Sequence, residues 1–501
     1  MEKVNTFKAI QKKLKAYQLV LNIASWDSNT EAPKNAFPYR SEMLSIISGE
    51  SFALSISKEY QEAVYGLYDV RDTLDETLRK EIEKAKRSLD KIVKIPQEEY
   101  VAYAKLINMS QRIWEDAKEK DDYDLFKPYL KDIIDAQKRM LGYRGYKENV
   151  YNVLLDDFEE GMTKTLYDDF FNVIKQDLVP FVKEVFNKKP DVKPSFIEDS
   201  YKEADQKAFV EYLMEVFDYD LDRGGLKKSV HPFTWNTHSQ DVRFTVRYLE
   251  NFVFSSIFAG IHELGHALYE QNIDETLDTT NLNSGTSMGI HESQSRFYEN
   301  VIGRSKAFWE THFDTFESRF ETQLKDVSVD DFYRAVNWVE PSFIRVEADE
   351  LTYPLHILIR YEIERMIFEK DLSVDDLPKV WNEKIKSYLG IEPQNDEEGV
   401  LQDVHWSAGM FGYFPTYALG SAYAAQFYYT MKEELDFEKL IKEDNIKAIN
   451  TWLKDKIHHV GSLKKPRELL KEITKEDFNP QYYVRYLKEK YAEIYGVKLD
   501  D

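Results

Sequence analysis

Two histidines lie at a spacing that suits a metal site. His262 and His266 are four residues apart in the motif His262-Glu263-Leu264-Gly265-His266, so in a helix they project from one face and can bind the same ion. Apolar residues recur at helical spacing around the motif, which predicts that helix. Glu263 lies beside them, and such a carboxylate can accept the proton of a metal-bound water. For the motif alone, the alternative is a buried helix with two hydrogen-bonded core histidines.

A third ligand can come from a second helix-like stretch. A catalytic zinc site has three protein ligands and an open position, and the stretch that opens with Gly289-Ile290-His291-Glu292 offers Glu292. The polar segment from Asp274 to Gly289 is predicted to be a loop that lets this helix fold back beside the first. We expect His291 to support a ligand or to be structural, because a fourth protein ligand would close the open position.

The composition excludes several classes of function. The chain has 501 residues, a net charge of −23 and no cysteine. This charge would repel a phosphate backbone and no basic stripe offsets it, so nucleic acid is not an expected partner. Without cysteine there are no disulfides, no thiol catalysis and no Cys-ligated zinc. Any metal must therefore be bound by His, Asp and Glu.

The organisation of the chain favours one large helical body. Gly and Pro are sparse, at 19 and 15 residues, and no Ser/Gly-rich or Pro-rich linker divides the sequence. We therefore predict a single domain over residues 1–501. The segment Met1–Asn5 lacks the plan of a secretory signal, and no run of about 18 apolar residues could span a bilayer. These features predict a soluble, cytoplasmic protein without a membrane partner.

Apolar stripes at helical spacing predict most of the elements. The stripe from Thr73 to Ile95 is densely charged and closed by Pro96, which is typical of one arm of an exposed helical hairpin with a solvated face. Trp26-Asp27-Ser28-Asn29 is expected to end the first helix, and Pro354 to kink or break a late one. Lys189–Pro194 is predicted to be a loop. The other predicted helices are Val4–Ala24, Glu98–Ala117, Leu125–Met140, Met162–Phe186, Glu203–Phe217 and Val346–Phe368.

Residues Asp241 to Tyr248 alternate polar with apolar side chains and form the clearest predicted strand. The strand runs directly into the helix that carries His262. We expect it to lie along a groove where an extended peptide could add to its edge. The alternative is an ordinary half-buried strand.

Six sequence blocks together resemble the carboxypeptidase Taq family of metallocarboxypeptidases. They cover about residues 231–420, and the chain length and helical character also suit the family. The N-terminal third is similar only around Trp26-Asp27. The blocks are His231-Pro232-Phe233, Asp241-Val242-Arg243-Phe244-Thr245, the motif at 262–266, Ile290-His291-Glu292-Ser293-Gln294-Ser295-Arg296, Ile344-Arg345-Val346-Glu347-Ala348-Asp349-Glu350 and Gly399-Val400-Leu401-Gln402-Asp403-Val404-His405-Trp406.

The resemblance implies a mainly α fold, in which a large helical body surrounds a deep substrate groove and a small β-sheet lies near the metal. It also implies a homodimer that removes single residues from peptide C-termini with broad preference. Zinc, or cobalt in some members, would be bound once per chain. The ligands carried over are His262, His266 and Glu292, with Glu263 as general base and acid.

The resemblance also supplies candidates for stabilising the oxyanion of the tetrahedral intermediate. Related helical zinc peptidases place a histidine and, about a dozen residues later, a tyrosine after the metal motif. His405 and Tyr417 are the matching candidates here. Tyr413 is the competitor, and a core aromatic is the alternative for Tyr417 in a chain with 33 tyrosines.

An exopeptidase must also recognise the free C-terminal carboxylate of its substrate. The planar guanidinium of arginine matches a carboxylate with two hydrogen bonds. Arg345 and Arg243 are the leading arginines inside the blocks. Either could instead pair with a structural carboxylate such as Glu347 or Asp349.

Two other functions are consistent with the same residues. Helical zinc peptidases with this ligand set also cleave short peptides internally, so an endo-acting oligopeptidase is the first alternative. A non-catalytic peptide-binding protein with a structural metal is the second. The presence of Glu263 argues against the latter, because structural metal binding needs no base.

Overall fold

Helices dominate the computed structural model, which describes residues 1–146, 148–190 and 192–499. The predicted mainly α fold is therefore confirmed. We call residues 2–90 the N-terminal arm. Its helices are α1 (Glu2–Thr30), α2 (Phe37–Ser55), α3 (Lys58–Tyr68) and α4 (Glu76–Asp90). The next helices are α5 (Gln97–Glu119), α6 (Tyr123–Arg144), α7 (Val150–Phe158), α8 (Lys164–Val173), α9 (Val179–Lys188) and α10 (Glu203–Val216).

A small sheet separates these helices from the remainder. Its strands are β1 (Gly224–Lys228), β2 (Thr234–His238) and β3 (Asp241–Val246). The following helices are α11 (Val253–Gln271), α12 (Met288–Arg296), α13 (Lys306–Glu317), α14 (Glu321–Leu324), α15 (Val329–Val336), α16 (Tyr353–Glu369) and α17 (Leu377–Leu389). The chain ends with α18 (Phe414–Glu434), α19 (Phe437–Lys442), α20 (Ile446–Leu453), α21 (Pro466–Thr474) and α22 (Gln481–Tyr495). Among the described residues, no helix is both long and apolar enough to cross a membrane.

The buried apolar side chains form two separate clusters. The larger cluster spans Ala117 to Val497 and includes the sheet and α11. The smaller one lies within the arm, where Phe7, Val64 and Ile82 are completely buried. The predicted apolar stripe on α4 faces this smaller cluster, because its buried apolar residues, Leu78, Ile82, Ala85 and Leu89, belong to that cluster. The opposite, charged face of α4 is therefore turned away from the arm's own core.

Two glycines allow α12 to lie unusually close to α11 and α18. A Cβ atom added at Gly265 of α11 would come within 2.7 Å of Ser295 Cα. One added at Gly420 of α18 would come within 2.6 Å of Glu292 Cβ. Both separations are shorter than any ordinary carbon–carbon contact. Glycine at both positions therefore fixes the place of the helix that carries Glu292.

The sheet has the order β1-β3-β2, with β1 parallel and β2 antiparallel to β3. The predicted strand is confirmed over Asp241–Val246, but the expectation that a peptide could add to its edge is wrong. β3 is the central strand, so both of its edges already pair with neighbours. The free edges belong to β1 and β2.

Tertiary packing overrides two local signals. The expected break at Trp26–Asn29 is wrong, because α1 continues to Thr30 and Trp26 packs against Phe233 and Trp235 at 5.7 Å between ring centroids. The late helix begins at Tyr353 rather than Val346, with Pro354 in its first turn. Proline suits a first turn, since its missing N–H would have had no helical partner there.

The remaining predictions for elements hold with shifted ends. The stretch Met162–Phe186 is two helices, α8 and α9, joined by a π turn at Ile174–Leu178. The loop before α12 contains one short 3₁₀ turn, Glu275–Leu277. In the predicted loop Lys189–Pro194, Asp191 lies outside the described residues.

Candidate active site

The structure brings the three predicted metal ligands together. One nitrogen of His262, one nitrogen of His266 and one oxygen of Glu292 all lie within 4.8 Å of one another. Glu292 Oε2 is 3.6 Å from His262 Nε2 and 3.5 Å from His266 Nε2. Ligand atoms at about 2.0–2.1 Å from a tetrahedral zinc ion would be about 3.3 Å apart. The donor set and its spacing therefore fit a divalent ion.

The second nitrogen of each histidine is also held. His262 Nδ1 lies 2.9 Å from Glu299 Oε2. His266 Nδ1 lies 2.6 Å from His291 Nδ1, and His291 Nε2 lies 2.8 Å from Glu270 Oε1. Partners of this kind orient the imidazoles that bind a metal. They leave both Nε2 atoms directed at the site.

Glu292 is fixed by charge as well as by packing. Arg296 Nε donates to its Oε1 at 2.8 Å, and Ser295 Oγ donates to its Oε2 at 3.0 Å. Burial raises the pKa of Glu292, but Arg296 and the two imidazoles outweigh burial and hold that pKa well below its ordinary value. Glu292 is therefore a carboxylate, the form that binds a metal.

Glu263 is positioned by the sheet. Thr234 Oγ1 donates to Glu263 Oε2 at 2.7 Å and lies 2.9 Å from the backbone carbonyl of the same residue. Burial raises the pKa of Glu263. Its Oε1 has no hydrogen-bond partner within the described part of the chain. One carboxylate oxygen is thus anchored and the other is available to a substrate or a water molecule.

His405 and Tyr417 meet at the start of α18. His405 Nε2 lies 3.2 Å from the Tyr417 hydroxyl. Burial lowers the pKa of His405 to about 4, so the imidazole is neutral near pH 7. Burial also raises the pKa of Tyr417, which keeps its proton. Tyr413 packs against both, with ring centroids 5.4 Å from His405 and 5.0 Å from Tyr417.

Arg345 lies beside this pair in a cluster with excess positive charge. Its guanidinium is 4.9 Å from the centre of the Tyr417 ring and donates through Nε to Asp403 Oδ1 at 3.0 Å. Arg360 donates to the other oxygen of Asp403 at 2.7 Å. Two buried guanidinium groups therefore share one carboxylate. The cluster therefore has one positive charge more than it has carboxylates, and that charge can pair with another anion.

A path of side-chain contacts links this cluster to the metal ligands. Arg296, which holds Glu292, has its guanidinium 4.7 Å from the centre of the Tyr353 ring. The Tyr353 hydroxyl accepts from Arg345 Nη1 at 3.1 Å. Arg345 therefore lies two side chains away from a predicted ligand.

Arg243 has a different environment. It donates to Asp241 from Nε at 2.7 Å and from Nη2 at 3.0 Å. Its guanidinium also lies 5.6 Å from the Trp26 ring and 5.1 Å from the Trp235 ring. Arg243 thus has one carboxylate of its own and an aromatic enclosure.

The alternative that each arginine pairs with a structural carboxylate is confirmed, but Glu347 and Asp349 are not those carboxylates. Glu347 is exposed. Asp349 instead accepts hydrogen bonds from the backbone of Leu351 and Thr352 ahead of α16. Asp403 and Asp241 are the actual partners of Arg345 and Arg243.

Sequence reasoning missed several residues that organise the site. Arg296 and Glu299 follow Glu292 by four and seven residues, and Glu270 follows His266 by four. These intervals place side chains on one face of a helix, so the signal was present. No comparable signal marked Thr234, because it reaches Glu263 from a strand 29 residues earlier.

A fold built from packed helices around a His-His-Glu site defines a helical metallopeptidase, and comparison with known proteins agrees. The family model for carboxypeptidase Taq (M32) metallopeptidases matches residues 6–491. The chain is 46% identical to carboxypeptidase 1 of Bacillus subtilis over 487 residues, which is 97% of each protein. A solved carboxypeptidase structure from Pyrococcus furiosus has a TM-score of 0.95 and 35% identity, covering 98% of this chain and 99% of that one. The structure of metallocarboxypeptidase 1 of Trypanosoma cruzi has a TM-score of 0.93 and 33% sequence identity, covering 98% of this chain and 99% of that one.

The chain therefore belongs to the carboxypeptidase Taq (M32) family and is a metallocarboxypeptidase, a hydrolase that acts on peptides. The resemblance seen in the sequence blocks is confirmed. The endo-acting alternative is not favoured, because relatives that match nearly the whole chain are named carboxypeptidases. A purely structural metal is not favoured either.

Proposed function

We propose that the enzyme binds one zinc ion per chain through His262, His266 and Glu292 and removes single residues from peptide C-termini with broad side-chain preference. The observation that carries this proposal is the convergence of three ligand atoms within 4.8 Å. A zinc ion bound there would polarise the scissile carbonyl and lower the pKa of a water molecule. Cobalt suits the same ligands.

Glu263 is proposed to move the proton during hydrolysis. Its Oε2 accepts from Thr234 at 2.7 Å, so Oε1 is the atom that receives a proton from the attacking water. The same oxygen then protonates the leaving amine. His405 and Tyr417, both neutral, are proposed to donate hydrogen bonds to the developing oxyanion.

Arg345 is the proposed anchor for the substrate's terminal carboxylate. It is buried beside Tyr417 and shares Asp403 with Arg360. A carboxylate from the substrate would balance the second positive charge, which favours binding. Arg243 is the weaker candidate, because Asp241 already neutralises it.

The test compares a short peptide acid with its C-terminal amide, by mass spectrometry, before and after chelation. We expect stepwise loss of C-terminal residues from the acid only, and none after chelation. Arg345→Met should reduce kcat/KM on the acid far more than Arg243→Met, since only the former would remove the anchor. Cleavage of the amide at internal bonds would overturn the proposal.

Two further experiments address the metal and the tyrosine. Metal analysis of the purified protein, followed by reloading with zinc or cobalt, identifies the ion that supports activity. Tyr417→Phe should lower kcat more than Tyr413→Phe, because only Tyr417 contacts both His405 and Arg345. Equal losses would remove Tyr417 from the proposed mechanism.

A homodimer is proposed through an exposed face formed by α1 and α2 of the arm and by α5. Large apolar side chains are exposed on α1, α2 and α5, including Leu19 at 44%, Ile46 at 57% and Val101 at 58%. Exposed apolar patches commonly mark interfaces. Light scattering should show a dimer that Ile46→Glu dissociates; a monomeric wild type would overturn this assignment. The single domain over 1–501 and the cytoplasmic location remain predictions.

A further inference from the structure

A large cavity separates the arm from the catalytic helices. Its volume is about 1240 Å³, and its wall includes the charged face of α4, the loop at 284–288 and the segment 462–465. Small-molecule sites are commonly about 300–1,000 Å³, so this space can hold several residues of a peptide. It is lined by nine basic and six acidic side chains, although the whole chain has a net charge of −23.

Most of the basic groups in this wall are neutralised by a carboxylate. Examples are Lys86 with Asp90, Arg87 with Asp156, Lys91 with Asp157 and Lys465 with Glu160. Two of the lysines that line the cavity, Lys84 and Lys94, differ from its other basic residues. Neither has a carboxylate oxygen within 4.0 Å among residues 1–146, 148–190 and 192–499. The two differ in burial, since Lys94 is exposed and Lys84 is not.

Lys84 is held in place without being neutralised. Its Nζ donates to Ser462 Oγ at 2.8 Å, and that hydroxyl also lies 3.1 Å from the carbonyl of Leu282. Burial lowers the pKa of Lys84 to about 8, so the side chain is mostly charged near pH 7. Glu270 and Glu160 attract this ammonium from farther away. Among the described residues its close partner is the Ser462 hydroxyl rather than a carboxylate, an arrangement that favours an added anion.

The cavity reaches side chains that support the reacting centre, although the proposed ligands and Glu263 are not in its lining. Its lining includes His291, which contacts His266 at 2.6 Å, and Phe158, whose ring is 5.1 Å from that of Tyr413. Arg345 is not among the described residues that line the cavity. If Arg345 binds the terminal carboxylate, as the proposed function requires, the residues on the N-terminal side of the scissile bond extend into this cavity.

We propose that Lys84 is a specificity-determining residue that binds the side-chain carboxylate of an aspartate or glutamate on the N-terminal side of the scissile bond. The carboxylate would supply the direct ion-pair partner that Lys84 lacks among the described residues, where Glu270 and Glu160 act only from farther away. The enzyme should therefore prefer substrates with an acidic residue at one upstream position. This inference rests on the proposed function for the orientation of the peptide.

The test uses N-acetylated tetrapeptides that share a C-terminal leucine and carry alanine or glutamate at each upstream position in turn. Release of leucine by the zinc-loaded enzyme gives kcat/KM for each peptide. We expect one glutamate peptide to exceed the all-alanine peptide by about tenfold. Lys84→Met should bring this ratio close to one and leave the all-alanine value within about twofold. Lys84→Arg should retain most of the ratio.

Lys94→Met is the matched control, because it removes a lysine of the same cavity that is exposed and also lacks a carboxylate partner. It should leave the ratio unchanged. An unchanged ratio in Lys84→Met, or an equal fall for the all-alanine peptide, would overturn the inference. Binding of the two peptides to Glu263→Gln, with and without Lys84→Met, measures the same preference without turnover. This binding measurement distinguishes an error in the proposed hydrolysis from an error in the role assigned to Lys84.

Discussion

The N-terminal arm and the catalytic helices are stabilised by different kinds of contact. Within the arm, α1, α3 and α4 share a small apolar cluster of their own, and α2 contributes no buried residue to it. The catalytic helices belong to the large cluster that continues to Val497. There, α12 is pressed between α11 and α18 at Gly265 and Gly420.

The contacts between the two regions are mainly polar. Lys15 Nζ donates to the carbonyl of Asp278 at 2.9 Å, Asn281 Nδ2 donates to the carbonyl of Glu81 at 3.0 Å, and Lys84 meets Ser462. Trp26 adds aromatic contacts with Phe233 and Trp235. A hydrogen bond contributes about 0.5–1.5 kcal/mol net, whereas truncating a core side chain costs about 2–5 kcal/mol. The metal site therefore depends on the large core, and the arm adds one wall of the cavity.

The largest expected effect is on the catalytic side. Glu263→Gln should lower kcat by about 10²–10⁴-fold, the usual contribution of a general base. Metal content should remain at the wild-type level, because Glu263 is not a proposed ligand. Thr234→Val is the companion variant, with a smaller loss, since it removes the hydroxyl that holds Glu263 and leaves the carboxylate in place. Loss of the metal in Glu263→Gln would contradict the assignment.

Truncating a side chain inside the arm should show that the stability of the arm and the binding of the metal are independent. Ile82 is completely buried in the arm's cluster, so Ile82→Ala should destabilise the arm by about 2–5 kcal/mol. Hydrogen exchange should become faster across residues 2–90 while metal content is unchanged. Metal loss in this variant would show that the arm supports the ligands directly.

A substitution at the glycine that contacts Glu292 should weaken metal binding directly, in contrast to the truncation inside the arm. In Gly420→Ala the new Cβ would lie 2.6 Å from Glu292 Cβ and Cγ, which forces α12 to shift. Changes that disturb the support of a ligand cost about 10–100-fold in metal affinity. Competition with a chelator measures this loss. Gly142→Ala is the control, because a Cβ at that position in α6 meets no atom within 4 Å.

A buried carboxylate in the large core should give a pH-dependent signal. Glu364 accepts from Tyr151, Trp406 and Gly412, and burial raises its pKa to about 7. Its contribution to stability is full below the ordinary pKa of 4.5 and is lost as the pH rises through about 7. Glu364→Gln cannot ionise, so its free energy of unfolding should rise relative to wild type by about 2–3 kcal/mol between pH 5 and pH 8.

Glu362 on the same helix is the control for that experiment. Burial raises its pKa, but Lys384 at 2.6 Å outweighs burial and holds the pKa below its ordinary value. The stability of Glu362→Gln relative to wild type should therefore stay constant over that pH range. An identical pH profile for Glu364→Gln and wild type would contradict the raised pKa.

The smallest expected effect is at the junction of the two regions. Lys15→Met removes the hydrogen bonds to the Asp278 carbonyl and to Asn283 Oδ1. The expected loss is about 1 kcal/mol, with metal affinity unchanged. Thermal unfolding measures it. A loss as large as that of Ile82→Ala would mean that polar contacts, rather than the two cores, hold the regions together.

The sequence alone determined the elements whose signals are local. The four-residue spacing of His262 and His266, the adjacent Glu263 and the helix that offers Glu292 were all legible, because an α-helix repeats every 3.6 residues. The apolar stripe of α4 was legible for the same reason, and the alternation of β3 was legible because successive side chains of a strand point to opposite faces. Local signals failed at Trp26, where packing against Trp235 continued the helix.

Only the tertiary structure decided which distant side chains are partners. Asp403 pairs with Arg345 across 58 residues, Thr234 reaches Glu263 across 29, and Lys84 meets Ser462 across 378. The tertiary structure also pairs both edges of β3 with neighbouring strands. Gly265 and Gly420 allow the close packing around the helix that carries Glu292. Such pairings depend on how whole helices pack, and the periodicity of a single element has no information about the side chains that another element brings against it.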